Sequence, residues 1–447
     1  MRLSELAAVL NGRQLGGEAE FIGVGIDSRQ DLGGCLFVAL RGARFDGHDF
    51  VPQAQSAGAT CALVERSVGC NLPQLLVADT RLALGEFARH HRRQYFSGDL
   101  VGVTGSNGKT TVKEMIAQVL AGLKTEGNFN NAIGVPLTLL RLKPEHRFAV
   151  IEMGANHLGE IAYVARLAEP KVGVITNAGP AHLEGFGSLE GVAQAKGELI
   201  TALPEDGIAI LNAGDRFFEY WRGLAGARKV VSFGLSQAAD VRAVEIAPLR
   251  FEQGRFCNWF VVAALGENFA VELALAGRHN IANALAACAV GMALGREISE
   301  IQAGLANMVP VAGRLNPIPA ATEGAWLLDD CYNANPASFQ AGLEALQALG
   351  GEPWVVLGAF GELGPESAAW HARAGQLAKE YGVQRLLAVG EESQAAVAAF
   401  GAGGQWFASQ QALIETAQNL LHADARVLVK GSRRQKLEVV VAALRKR

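Results

Sequence analysis

Cysteine is scarce in this 447-residue chain: Cys35, Cys61, Cys70, Cys257, Cys288 and Cys331 are scattered without C-x-x-C spacing. That excludes a disulfide scaffold and a zinc site and fits a reducing compartment, so a cytoplasmic location is expected. Nowhere do about 18 apolar residues run unbroken. The first ten residues carry Arg2 and Glu5 without a long apolar core, so neither a membrane span nor an export signal is expected. An excess of one charge is missing too, because 40 basic residues against 44 acidic ones leave a formal charge of -4. No broad basic field is available for nucleic acid or an anionic membrane, and the expected partners are small molecules. Internal repeats and low-complexity tracts are likewise absent. The hydrophobic share is 50%, and the length is about three times the ~150-residue prior for one domain, so two to four domains are expected.

What is present is concentrated in one stretch. Val101-Gly102-Val103-Thr104-Gly105-Ser106-Asn107-Gly108-Lys109-Thr110-Thr111 passes from a buried-strand pattern through a glycine turn into a helical pattern. Backbone N–H groups in such a turn, with the positive end of the helix, face a triphosphate. Lys109 then neutralises the terminal phosphate and the Thr110 hydroxyl ligates Mg²⁺. The ordinary spacing puts a glycine five residues before Gly108, where this chain has Val103, so the loop is the shorter G-x-x-G-K-T-T form. ATP is the expected cofactor.

Residues 1–98 read as a small α/β unit, with apolar runs at 35–40 and 61–64 and a helix near 82–95. Residues 99–313 alternate strand and helix, giving a mostly parallel sheet with the phosphate loop after its first strand. Within them, 240–275 read as hairpins and 280–294 as an alanine-rich helix. Residues 314–447 resume the alternation as a second, Rossmann-like sheet that lacks the G-x-G-x-x-G dinucleotide fingerprint. The expected fold class is α/β in three domains.

Several polar residues fall at strand ends, where ligands of parallel sheets gather. Glu152 ends the strand near 148–153 and is a Mg²⁺ ligand candidate. The next strand leads into Thr176-Asn177-Ala178-Gly179-Pro180-Ala181-His182. By itself His182 reads as a loop histidine, and beside a phosphate loop and Glu152 it reads as a metal ligand. Spacing alone makes Lys196 a solvated helix lysine. Asn280 and Asn283 share one helix face and either cap the helix or read a base edge and its ribose. Asp329-Asp330-Cys331-Tyr332-Asn333-Ala334-Asn335-Pro336 ends a strand with paired acids, which are costlier to place than a turn needs.

Together and in this order, these segments resemble the Mur ligase family, ATP-dependent enzymes that add amino acids to a UDP-linked peptidoglycan precursor. The resemblance spans nearly the whole chain and includes Glu152-Met153-Gly154, Ala195-Lys196-Gly197-Glu198 and His279-Asn280 with Asn283. Within the family, residues 329–336 and Lys430-Gly431-Ser432-Arg433 look like the branch that joins D-alanyl-D-alanine to UDP-N-acetylmuramoyl-tripeptide. The D-N-P-R signature of the diaminopimelate-adding branch does not occur in this chain.

The resemblance implies a UDP-sugar-binding first domain, an ATP-binding central domain, an amino-donor-binding third domain and a monomer. Gly105, Ser106, Asn107, Gly108, Lys109, Thr110 and Thr111 would cradle the nucleotide, with Asn280, Asn283 and Arg314 against it. Thr110, Glu152, His182 and Lys196 would serve the metal sites, Lys196 as a carbamate. Arg314 and Asp330 would close the ATP site. Ser28, Arg29, Asp46, Gly47, His48, Asn130 and Asn131 would contact the acceptor, and Asn333, Asn335, Lys430 and Arg433 the substrates from the third domain.

Two places depart from that branch. Leu357-Gly358-Ala359-Phe360 lacks the usual acid, and Arg434-Gln435-Lys436-Leu437 is more basic than the usual methionine-containing run. Both changes bear on the dipeptide more than on ATP. The implied reaction runs through an acyl phosphate and releases ADP and phosphate. A sibling ligase, an ATP-switched binding protein and a simple kinase are the competing readings.

Overall fold

The computed structural model describes residues 1–42, 45–179, 183–361 and 363–446, and three sheets follow one another along the chain. In the first, Gly23–Gly25, Cys35–Val38, Cys61–Val64 and Gln74–Leu76 run parallel, and Arg13–Leu15 closes one edge antiparallel. Leu36, Val38, Leu63 and Leu75 make one face of this sheet a core against the helix Leu3–Leu10.

The central sheet has ten strands. Its first strand in sequence, Asp99–Thr104, lies between Phe148–Glu152 and Val172–Ile175, all three parallel. Strand order reverses around it, and a crevice opens at the carboxyl edge of such a reversal. The phosphate loop leaves at that edge. The hairpin strands Arg255–Ala264 and Glu267–Leu273 extend the far side of the sheet antiparallel. In the third domain, Trp326–Asp330, Ala425–Lys430, Glu352–Gly358, Arg385–Val389 and Gly404–Phe407 form a parallel sheet, with Asn316–Pro319 antiparallel at one edge.

The helix after the phosphate loop, Lys109–Leu120, buries Val112, Met115, Ile116 and Val119. The helix Arg278–Ala293 packs on it and is buried almost all round, which is why its sequence is alanine-rich rather than amphipathic. Helix Thr80–Tyr95 joins the first two domains. Asp79 caps it by accepting from the Leu82 amide at 2.8 Å. Its Leu84 and Phe87 belong to the first core and its Ala88 to the central one. Arg89 and Arg93 both donate to Glu169 of the central domain. A second join lies further on, where Phe251 of the central hairpins packs edge-on against Trp326, ring centroids 5.0 Å apart.

Gly304, in the helix Ile298–Ala306, lets that helix touch the phosphate-loop helix backbone to backbone, since a Cβ there would lie 2.7 Å from the Val119 Cα. Gly304→Ala should therefore cost about 1–3 kcal/mol through overpacking. Urea unfolding measures this directly, and an unchanged midpoint would disprove the close contact.

Candidate active site

The phosphate loop is shaped by its neighbours on the next strand. The Asn107 amide donates to Asn177 Oδ1 at 2.9 Å, while the Asn107 carbonyl accepts from Thr176 Oγ1 at 2.6 Å and Asn177 Nδ2 at 3.0 Å. Ser106 Oγ exchanges hydrogen bonds with the Gly179 backbone at 2.9 and 3.0 Å. Gly105 is obligatory, because its φ is +146° and a Cβ would lie 1.9 Å from Thr176 Oγ1. Gly108, at φ +82°, caps the helix Lys109–Leu120, whose first N–H groups are left to face an anion. Lys109 Nζ folds back to the Gly105 and Ser106 carbonyls at 2.6 and 3.2 Å. Burial holds its pKa below the usual lysine range, Glu152 opposes that shift and Arg314 adds to it.

Glu152 enters the same edge from the neighbouring strand, 2% exposed. Its Oε1 accepts from Asn130 Nδ2 at 2.9 Å, and its buried Oε2 has no hydrogen-bond partner. An orphaned carboxylate oxygen in a phosphate site suits a cation. Two residues that sequence reasoning did not select hold this carboxylate's backbone. The Glu152 amide donates to Thr125 Oγ1 at 3.0 Å, and the Thr125 carbonyl accepts from Lys113 Nζ at 2.8 Å. Lys113 is 1% exposed and also pairs with Glu114 at 2.8 Å. A lysine inside the apolar stripe of the phosphate-loop helix was the available signal.

The third domain closes over this edge. Arg314 Nη2 donates to Thr110 Oγ1 at 3.1 Å, and Asn335 Nδ2 to Asn107 Oδ1 at 2.8 Å. Arg314 lies 4.6 Å over the Tyr332 ring, and its Nε is buried without a partner. The strand register puts Asp330 directly opposite Lys430, and Lys430 Nζ reaches Asp330 Oδ2 at 2.5 Å. Burial pushes the Asp330 carboxyl above its ordinary range despite that ammonium.

Two cavities result. The larger, about 640 Å³, joins Ser106, Lys109, Thr110, Glu152, Arg314 and Asp330, with Asn130, Asn131, Asn333, Lys430 and Arg433 also on its wall. The smaller, about 310 Å³, lies behind the loop, where Asn280, Asn283 and Thr111 meet the apolar Phe233, Leu275 and Val311. Apolar walls with a few convergent amides suit a nucleoside. The Asn280 and Asn283 side chains are bonded to each other at 3.0 Å, and Asn280 Nδ2 donates to the Ala276 carbonyl at 2.8 Å.

Several proposed contact residues have internal duties. Asn131 Oδ1 caps the helix Gly134–Leu139 by accepting from the Ile133 and Gly134 amides. Asn333 Oδ1 accepts from the Ala334 amide, and Arg433 donates to Glu438 at 3.0 Å. Ser28, Arg29, Asp46, Gly47 and His48 line neither cavity and sit on the first domain. Ser28 bonds Gln53, and Arg29 pairs with Asp27.

His48 needs a correction as a substrate contact. It is 1% exposed, Nδ1 meets Asp46 at 2.5 Å, and Nε2 accepts from the Glu65 amide at 2.8 Å, so no ring nitrogen remains for a ligand. Gly47 allows backbone contact with Leu40, where a Cβ would lie at 2.7 Å. Lys196 is 2% exposed, beneath the cavity rather than on its wall, with Nζ 5.4 Å from the Phe186 ring centroid. Burial, reinforced by Lys109, lowers its pKa to about 7. His182 lies outside the described residues.

Comparison with known proteins matches this three-part design. Residues 20–92 match the model described as Mur ligase family, catalytic domain; 103–291 the Mur ligase middle domain; and 313–433 the Mur ligase, glutamate ligase domain. The chain is 47% identical to the UDP-N-acetylmuramoyl-tripeptide--D-alanyl-D-alanine ligase of Escherichia coli, over 99% of this chain and 98% of that protein. A crystal structure of MurF from Acinetobacter baumannii superposes with a TM-score of 0.90 at 36% identity, covering 98% of this chain and 97% of that one. The MurF ligase of Thermotoga maritima in complex with ADP gives 0.82 at 29% identity, covering 94% and 96%. With three consecutive family matches and a relative aligned almost end to end, this chain belongs to the Mur ligase family.

Proposed function

We propose that this protein is the ATP-dependent ligase that joins D-alanyl-D-alanine to UDP-N-acetylmuramoyl-tripeptide in peptidoglycan precursor synthesis. The observation that carries the reading is the larger cavity, where the central domain's phosphate loop and Glu152 face the third domain's Asp330 and Arg314 across one volume. The names of the relatives supply the donor and the acceptor. Residues 1–98 hold the sugar nucleotide, 99–313 the ATP and 314–447 the amino donor. One chain supplies both cavities, so a monomer suffices. No helix among the described residues is long and apolar enough to cross a membrane, and we place the reaction in the cytoplasm.

The acceptor carboxylate attacks the γ-phosphorus of ATP, ADP leaves, and an acyl phosphate forms. The donor amine then attacks the acyl carbon and phosphate leaves, which makes the amide. Two anions must meet in the first step, so the chain's task there is neutralisation and alignment. Lys109, the N-terminus of its helix and Arg314 supply fixed positive charge inside a cavity of low dielectric. Asp330, raised by burial, takes the proton of the attacking amine.

The donor set fits Mg²⁺, since Thr110 Oγ1 and the orphaned Glu152 Oε2 are both oxygens. Mg²⁺ is commonly held by one or two carboxylates together with substrate phosphates, and there it offsets developing charge. As a carbamate, formed when the neutral amine adds to CO₂ and releases a proton, Lys196 would offer a further oxygen ligand.

ADP release should require ATP, the UDP-linked tripeptide and D-alanyl-D-alanine together. A coupled assay with each component withheld checks this, and release at full rate without the dipeptide would overturn the ligase reading. For Lys196, ¹³C-bicarbonate should give a carbamate resonance that grows as pH rises through about 7 and is absent from Lys196→Ala. A free amine at full activity above that pH would sink the modification. Without the carbamate, burial of Lys196 destabilises the fold most below about pH 7. That contribution fades towards 10.5, because in between only the unfolded chain holds the extra proton.

A further inference from the structure

After the strand Ala425–Lys430 the third domain presents three cations, Lys430, Arg433 and Arg434, to the larger cavity. Two of them have internal partners. Lys430, 1% exposed, holds Asp330 Oδ2 at 2.5 Å and the Asn333 carbonyl at 3.1 Å. Arg433 donates to Glu438 at 3.0 Å and lies 5.8 Å from the Tyr332 ring centroid. For Arg434, no ion pair with a carboxylate forms among the described residues.

Its backbone is nevertheless well anchored. Arg434 sits in the short 3₁₀ turn Arg433–Gln435, where the Gln435 amide donates to the Ser432 carbonyl at 2.9 Å. The Ser432 amide donates in turn to the Ala359 carbonyl at 3.1 Å. Ala359 stands where an acid is usual in the branch this chain resembles, so that position brings no carboxylate to the strand end that anchors this turn.

Resting on the ligase reading, the donor is a dipeptide with two charged ends and two different requirements. Its amine must reach the acyl carbon uncharged, while its far carboxylate stays ionised and needs a cation when it leaves water. Among the cavity's cations, Lys109 and Arg314 face the phosphates, and Lys430 is bound to Asp330. Arg81 enters from the first domain, which holds the acceptor. We propose that Arg434 binds the terminal carboxylate of the donor dipeptide and thereby sets the preference for a donor with a free acid.

The test compares D-alanyl-D-alanine with its C-terminal carboxamide as donors for the full-length enzyme, Arg434→Gln and Arg433→Gln. The wild type should favour the acid by about tenfold or more in kcat/KM, the scale of one charge-assisted hydrogen bond. In Arg434→Gln that ratio should fall towards one through a raised KM for the acid, with KM for ATP unchanged. Wild-type turnover with an unaltered ratio in Arg434→Gln, or a ratio lost in Arg433→Gln and kept in Arg434→Gln, overturns the assignment and leaves the ligase reading standing. Failure of the wild type to use the dipeptide at all overturns both. Arg434 is exposed, and each ratio is measured within one variant, so a stability change cannot imitate the result.

Discussion

The site depends on keeping backbone donors free at the carboxyl edge of the central sheet. The donors that matter are those at the helix start, and the turn before them must be fixed without using them. Here the Asn107 carbonyl is taken by Thr176 and Asn177, and the Asn107 amide by the Asn177 side chain. The loop is thus fixed from its flank, and the helix start at Lys109 stays open towards the cavity. Any side chain at position 105 would collide with the Thr176 hydroxyl, so the loop and the strand beside it form one steric unit.

The same edge is where the third domain makes its polar contacts. Arg314 and Asn335 touch Thr110 and Asn107, residues of the phosphate loop that themselves line the larger cavity. The contact between the two domains is therefore made by atoms at the cavity itself. Asp330 and Lys430 are opposite one another by strand register, so their pairing is a property of the sheet and needs no flexible loop to position it. A buried pair of this kind contributes little net stability, because desolvation offsets attraction. Its value lies in holding an acid with a raised pKa beside the cavity.

Legibility from sequence followed the length and periodicity of the elements. Arg385–Val389 and Cys61–Val64 are visible as apolar runs, and the phosphate loop is marked by its glycines and lysine. Edge strands such as Arg13–Leu15, Gly23–Gly25 and Gly404–Phe407 are only three or four residues long, too short for alternation to register. Lys109 and Glu152, singled out by motif and strand end, and Arg314 and Asp330, whose roles came from the family resemblance, all line one cavity. His48, expected from the family resemblance to contact the acceptor, is bonded on both ring nitrogens inside, a difference that a polar ring does not reveal in sequence. Lys113 and Thr125 were missed for the opposite reason, since their roles are carried by contacts between elements that sequence separates.

The helix Thr80–Tyr95 has one end in the first core and the other in the second, and its arginines grip Glu169. Two bodies sharing a rod in this way cannot hinge against each other without pulling Phe87 or Ala88 out of its packing. The first and central domains consequently behave as a single jaw.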